Sequence, residues 1–134
     1  MEEDYYYTIA NTGATVLLKE KGSKFYGYSF PVTKEEDLLV PLNHLKKKHK
    51  TAVHFCFAYQ IGIDSVYYRV SDDGEPSNAA GLPIYGQIKA NQLTNLAIVV
   101  IRYFGGTKLG VGGLIQAYKK TAKLAIEESK IVKK

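Results

Sequence analysis

LAIVVIRYFGGTKLGVGGLIQAY, running from Leu96 to Tyr118, holds the strongest fold signal in the chain. Its first six residues are all apolar. That is far short of the roughly 20 needed to span a membrane, and reads instead as a strand, Leu96 to Phe104, buried on both faces. Five of the twelve glycines follow at once: Gly105, Gly106, Gly110, Gly112 and Gly113. Beyond them Val111, Leu114, Ile115, Tyr118, Ala122 and Ala125 recur at helical spacing, with Gln116, Lys119, Lys120, Lys123 and Glu127 opposite. A strand that turns through glycines into a helix leaves free N–H groups at the helix start, aligned with the dipole. Arg102 and Lys108 flank that point. Two readings stay open. Either the glycines supply left-handed backbone and close helix–sheet packing, or they bring bare amides up to an anion. A Walker A loop is excluded because no Gly-Lys-Ser/Thr occurs, and G-x-G-x-x-G fails because Ile115 stands where the third glycine belongs.

Outward from this stretch, strands are expected over Tyr5–Ile9 and Thr15–Lys19 with a turn at Asn11–Gly13, then over Ser23–Val32. Thr33 to Glu36 matches an S/T-x-x-E capping box for a helix with a Leu38, Leu42, Leu45 stripe. Pro41 either kinks that helix or starts a second segment. Val53–Tyr59 alternates two apolar faces, as a central strand does, and Ser65–Val70 follows as another strand. A polar loop runs from Ser71 to Gly81, and Pro83 suits the first turn of a short helix bearing Ile84, Tyr85 and Ile88. The sum is an α+β two-layer sandwich, one mixed sheet with helices on one face.

The chain has 134 residues, 46% hydrophobic, the size and apolar content of a single compact domain. One cysteine, Cys56, cannot form an internal disulfide and reads as a buried structural thiol in a reducing compartment. The acidic, aromatic start MEEDYYYTIA is not a signal peptide. A soluble cytoplasmic protein is expected. The net charge of +5 permits nucleic-acid or ribosome contact, but only Arg69 and Arg102 among the 18 basic residues are arginine.

Each candidate group has a functional and a bland reading. Asp72, Asp73 and Glu75 are close enough to suit a hard cation, yet they lack alternating EF-hand spacing. An Asp-Gly turn with Ser77 or Asn78 capping the next helix accounts for the same residues, and no metal site is expected. His54 and Asp73 are the weak acid–base candidates, against a hydrogen-bonded histidine in a core or cleft; His44 and His49 read as helix-surface residues. Nothing in the sequence lowers the Cys56 thiol pKa. Lys46–Lys50, with Lys119, Lys120 and Lys123, could form a phosphate-tracking surface or simply solvated helix faces.

SKFYGYSFPV, HFCFAYQIG, SDDGEPSNAAGLPI and VIRYFGGTKLGVGGLIQAY resemble, in order and spacing, the N-terminal domain of the Impact/YigZ family, from about Ser23 to Ala125. The resemblance implies a ribosomal protein S5 domain 2-like fold, some of whose members touch RNA while others are small-molecule kinases, so fold alone does not choose a function. Eukaryotic family members restrain the amino-acid-starvation kinase by competing for its ribosome-associated activator. Neither their RWD domain nor the C-terminal ferredoxin-like domain of bacterial relatives has a counterpart in residues 1–134, which make one Impact N-terminal-type domain, excised or naturally short. Gln116 stands where the family usually has arginine, and Asn78-Ala79 where it usually has Gly-Thr.

The function expected is a non-enzymatic, translation-linked binding or regulatory domain contacting RNA, the ribosome or a translation-regulator protein, with no cofactor and no membrane. Its binding residues would be Asp72, Asp73, Glu75, Ser77, Arg102, Lys108, the five loop glycines, Lys119, Lys120 and Lys123. The alternative is an enzyme holding a phosphorylated or anionic small molecule at the glycine loop.

Overall fold

The computed structural model describes residues 5–134; the acidic Met1–Asp4, which entered the signal-peptide reading, lies outside them. The elements are β1 (Tyr7–Ile9), β2 (Val16–Glu20), β3 (Ser23–Pro31), a 3-10 turn (Glu35–Leu38), α1 (Leu39–Lys48), β4 (His54–Ile61), β5 (Tyr67–Ser71), α2 (Gly81–Ala90), β6 (Leu96–Tyr103), α3 (Gly110–Glu127) and β7 (Ile131–Lys133). Five strands form the main sheet in the order β2-β3-β6-β4-β5, and β1 pairs with β7 in a separate ribbon.

The α+β architecture is the one expected, with three corrections. Every neighbouring pair in the sheet is antiparallel, so the sheet is not mixed. β3 and β4 do run parallel to each other, as do β5 and β6, but another strand sits between the members of each couple. Helices lie on both faces rather than one. Leu38, Leu42 and Leu45 pack with Tyr28, Tyr59, Val99 and Ile101 on one face, whereas α2 and α3 pack on the other with Phe25, Cys56, Ile98 and Val100. The crossovers β3-α1-β4 and β5-α2-β6 travel in opposite directions along oppositely directed strands, a combination that leaves the expected face unchanged. Placing α1 and α2 on opposite faces therefore makes one crossover right-handed and the other left-handed, against the usual preference for right. Hydrophobic period says which side of a helix is buried, not which face of the sheet buries it. The third correction concerns β1, which does not form a hairpin with β2. It pairs with β7 from the chain's other end, Tyr7 facing Lys133, and the three residues of β7 are too few to show a pattern.

β6 is the central strand, and all but its last residue are buried. Its alternate residues serve two cores, Leu96, Ile98 and Val100 under α2 and α3, Ala97, Val99 and Ile101 under α1. Each of the Leu, Ile and Val side chains contributes about 1.5–3 kcal/mol through burial. At the other helix, the capping box takes a different form. Asp37, not Glu36, accepts hydrogen bonds from the Thr33 amide (2.9 Å) and the Thr33 hydroxyl (3.2 Å). The carboxylate reaches back four residues because the segment opens as a 3-10 turn; α1 proper then starts at Leu39 with Pro41 in its first turn, where no amide is needed.

Candidate functional site

The SDDGEP turn and the glycine loop meet at one end of the sheet, beside the start of β4 and the end of β6. Asp73 (φ 40°) and Gly74 (φ 87°) both take left-handed backbone, and the Glu75 amide donates to the Asp72 carbonyl at 2.9 Å. This is a type I′ turn, for which Asp-Gly is a favoured pair. Each of its carboxylates has a partner. Asp72 accepts from the amides of Asn78 (2.9 Å), Ala80 (3.2 Å) and Gly81 (2.8 Å), and so caps α2 from eight residues upstream. Ser77 and Asn78 do not cap it, and Ser77 is exposed. The Asp73 carboxylate takes the Phe55 amide at 2.6 Å.

Glu75 is buried and holds Arg102 through two parallel hydrogen bonds, Nε to Oε2 at 2.6 Å and a terminal nitrogen to Oε1 at 2.9 Å. The Tyr118 hydroxyl donates to Glu75 Oε2, tying α3 to the pair. Burial works against the Arg102 charge, but the bonded Glu75 carboxylate outweighs it and holds the guanidinium more firmly protonated. His54 Nδ1 donates to the Asp73 carbonyl at 2.7 Å, which leaves Nε2, 3.5 Å from Glu75 Oε1, as the nitrogen free of a proton in the neutral ring. The Cys56 thiol donates to the Asp72 carbonyl at 3.1 Å, and burial pushes its pKa up to about 12, so it is a structural thiol. Among the described residues no group of His, Cys, Asp and Glu side chains is arranged to hold a metal ion.

The glycines divide by role. Gly105 packs against the β2–β3 turn so tightly that a Cβ there would lie 2.0 Å from the Gly22 carbonyl carbon. Gly106 (φ 87°) and Gly110 (φ 75°) take left-handed backbone. Gly112 meets neither demand: its φ is not positive, and a Cβ on it would have nothing within 4 Å. Gly113, its Cβ position 3.1 Å from Leu109, is crowded by the loop itself. The corner role therefore falls to Gly105, Gly106 and Gly110, while Gly112 borders open space.

In front of Arg102 and Glu75 lies a cleft of about 270 Å³ lined by Pro76, Phe104, Lys108, Leu109, Gly110, Val111 and Leu114. Phe104 and Val111 are each about half exposed, 52% and 53%. Lys108 at its rim is exposed, as are Lys119, Lys120 and Lys123 farther along α3. The lysines of α1 are also exposed, but α1 lies on the opposite face of the sheet, so the two groups do not join into one basic surface. Sequence reasoning brought Glu75, Arg102, Lys108 and the glycines to one place and missed Phe104, Val111 and Tyr118 as parts of it. Tyr118 read as one more residue of a helical stripe.

His49, expected on the helix surface, is buried with both ring nitrogens engaged. Nε2 lies 2.6 Å from the Tyr28 hydroxyl and Nδ1 2.6 Å from that of Tyr103. It follows the last turn of α1 and turns inward, which a stripe ending at Leu45 does not reveal. His44 is exposed, as expected.

The family profile described as the Impact N-terminal domain matches residues 21–126. The chain is 37% identical over 129 residues to the Impact family member YvyE of Bacillus subtilis strain 168, covering 96% of this chain and 59% of that protein. It is 35% identical over 106 residues to YigZ of Escherichia coli K12, covering 78% and 52%. The chain thus spans little more than half the length of these bacterial relatives. Among solved structures, a hypothetical protein superposes with a TM-score of 0.93 at 30% identity, covering 99% of this chain and 65% of the other. The two-domain translational regulator Yih1 superposes with a TM-score of 0.55 at 29% identity, covering 92% and 47%. Family profile, bacterial relatives and three-dimensional likeness agree: the chain belongs to the Impact N-terminal domain family.

Proposed function

We propose that this chain is a non-enzymatic binding domain of translational regulation, and that it engages an acidic segment of a partner protein in the cleft between the SDDGEP turn and the glycine loop. The observation that carries the reading is the make-up of that cleft. Its floor is an ion pair already satisfied within the protein, its walls are half-exposed apolar side chains, and its rim carries Lys108 and the start of α3 at Gly110. A satisfied floor leaves Arg102 little capacity to bind phosphate. Phe104 and Val111 offer apolar area that a peptide side chain can bury, while Lys108 and the helix start favour negative charge. The link to translation rests on the likeness to Yih1, described as a translational regulator.

Lys119, Lys120 and Lys123 favour a second reading, contact with RNA or the ribosome along α3, since phosphate neutralisation needs rows of exposed cations. Co-sedimentation of the domain with ribosomes, with and without ribonuclease, separates the two. Retention after ribonuclease, weakened roughly tenfold, about 1.4 kcal/mol, by Lys108→Glu, supports the protein partner. Loss on ribonuclease treatment, with Lys119→Glu more damaging than Lys108→Glu, supports RNA. The enzyme alternative, with His54 or Asp73 as acid–base and an anionic small molecule at the loop, predicts a rise in melting temperature with a nucleotide or sugar phosphate. A flat screen goes against it.

A further inference from the structure

The five-stranded sheet ends in two edges of different character. β2 carries Lys19, exposed, and Glu20, the charged residues with which natural sheets blunt an edge. β5 reads Tyr67-Tyr68-Arg69-Val70-Ser71, with no lysine, proline or carboxylate. Tyr67 and Tyr68 are each 49% exposed, and Ile63 and Val66, just before the strand, are more exposed still.

The backbone of this edge is available for pairing. The Phe55 amide points to the β5 side of β4, where it meets Asp73. By alternation, the pairs Phe57–Ser71, Tyr59–Arg69 and Ile61–Tyr67 are the hydrogen-bonded ones of the β4–β5 ladder. The N–H and C=O groups of Tyr68 and Val70 then point outward, and no backbone bond from either crosses to another element among the described residues.

We infer that β5 is a self-association edge: two copies of the chain pair β5 to β5 antiparallel about a two-fold axis through Tyr68. This register is favoured by the side chains it opposes. Tyr68 faces Tyr68 of the second copy, Val66 faces Val70, and Arg69 faces Tyr67. On that same face the Tyr67 hydroxyl donates at 3.0 Å to the carboxylate of Glu35. The Tyr59 and Tyr67 hydroxyls that bond Glu35 keep its carboxyl below the ordinary carboxylate range, so it is ionised at neutral pH. Within its own chain Arg69 lies over the Phe57 ring, 6.0 Å from the centroid, and beside Glu35; in this register it also faces the Tyr67 ring and the Glu35 carboxylate of the second copy, twice by symmetry. A register centred on Arg69 instead opposes two guanidinium groups and is disfavoured. Tyr68 is held ready by stacking on Tyr85 of α2, with ring centroids 4.2 Å apart and planes 5° from parallel. The edge lies away from the cleft, flanking the opposite end of β4, so self-association leaves the proposed partner site open.

Sedimentation velocity over a concentration series tests this with the chain as it stands. The expected result is a reversible monomer–dimer equilibrium, shifted at least tenfold toward monomer by Arg69→Glu and equally by Glu35→Arg. Circular dichroism melts confirm that each variant is folded. Slower hydrogen exchange of the Tyr68 and Val70 amides at high protein concentration places the contact at β5. A chain that stays monomeric throughout overturns the inference, as does a dimer indifferent to Arg69→Glu, or protection of β5 amides that appears only when a different protein is added.

Discussion

Two buried polar clusters lie on opposite faces of the same sheet and solve the same physical problem differently. On the α2/α3 face, Glu75 and Arg102 are buried as charges, satisfied by two-pronged hydrogen bonding and by Tyr118. On the α1 face, His49 is buried between the hydroxyls of Tyr28 and Tyr103, with desolvation and then Lys48 lowering its pKa, so that it stays neutral. The ion pair forms the floor of a cleft, while the histidine clamps the end of α1 onto the sheet. A buried charge pair depends on each partner for its tolerance. A neutral histidine clamp depends instead on the pH.

The largest expected effect is at the charged cluster. Glu75→Ala leaves the Arg102 guanidinium buried and unpaired and should cost about 3–5 kcal/mol, read by urea denaturation. Glu75→Leu with Arg102→Met should cost markedly less than Glu75→Ala alone, because no charge is then orphaned. Equal losses from the single and double variants would mean that packing, not charge, dominates there.

The neutral cluster should lose less. His49→Phe leaves two hydroxyls short of a partner, at a cost of about 2 kcal/mol. His49 also sets a pH dependence whose sign is fixed by linkage. Its folded pKa lies below the unfolded value, so the unfolded chain binds the proton first, and stability declines as pH falls below about 6.5 toward the folded pKa. Parallel melts of the native chain and His49→Phe should differ in slope across that window. Identical slopes would remove His49 from the account.

Much of this was legible in the residues, and what was not has physical reasons. Strand β6, the glycine turn and α3 carry their periods openly, and the SDDGEP and glycine motifs pointed to residues that line one cleft. The long-range pairings left no local signal: β1 with β7, Asp72 with the start of α2, His49 with two tyrosines from distant strands. Asp72 capping α2 is an instance. Asp72→Ala should cost about 0.5–2 kcal/mol, the ordinary value of a helix cap, and hydrogen exchange should show the loss concentrated in the first turn of α2. A uniform loss across the domain would argue against a capping role.

The smallest expected effect lies at the start of α3. Gly112→Ala fills open space in a helix and should raise stability by a few tenths to about 1 kcal/mol. Urea denaturation reads the gain, and a loss of stability instead would show that the helix start needs glycine there.

The central claim is that partner contact lies at the cleft and not on the lysine-rich opposite face. Co-sedimentation with ribosomes after ribonuclease treatment, comparing Phe104→Ala with Lys108→Glu against Lys46→Glu with Lys47→Glu, tests it most directly. Binding lost in the cleft pair and kept in the α1 pair is the predicted result. Binding kept in the cleft pair and lost in the α1 pair would contradict it.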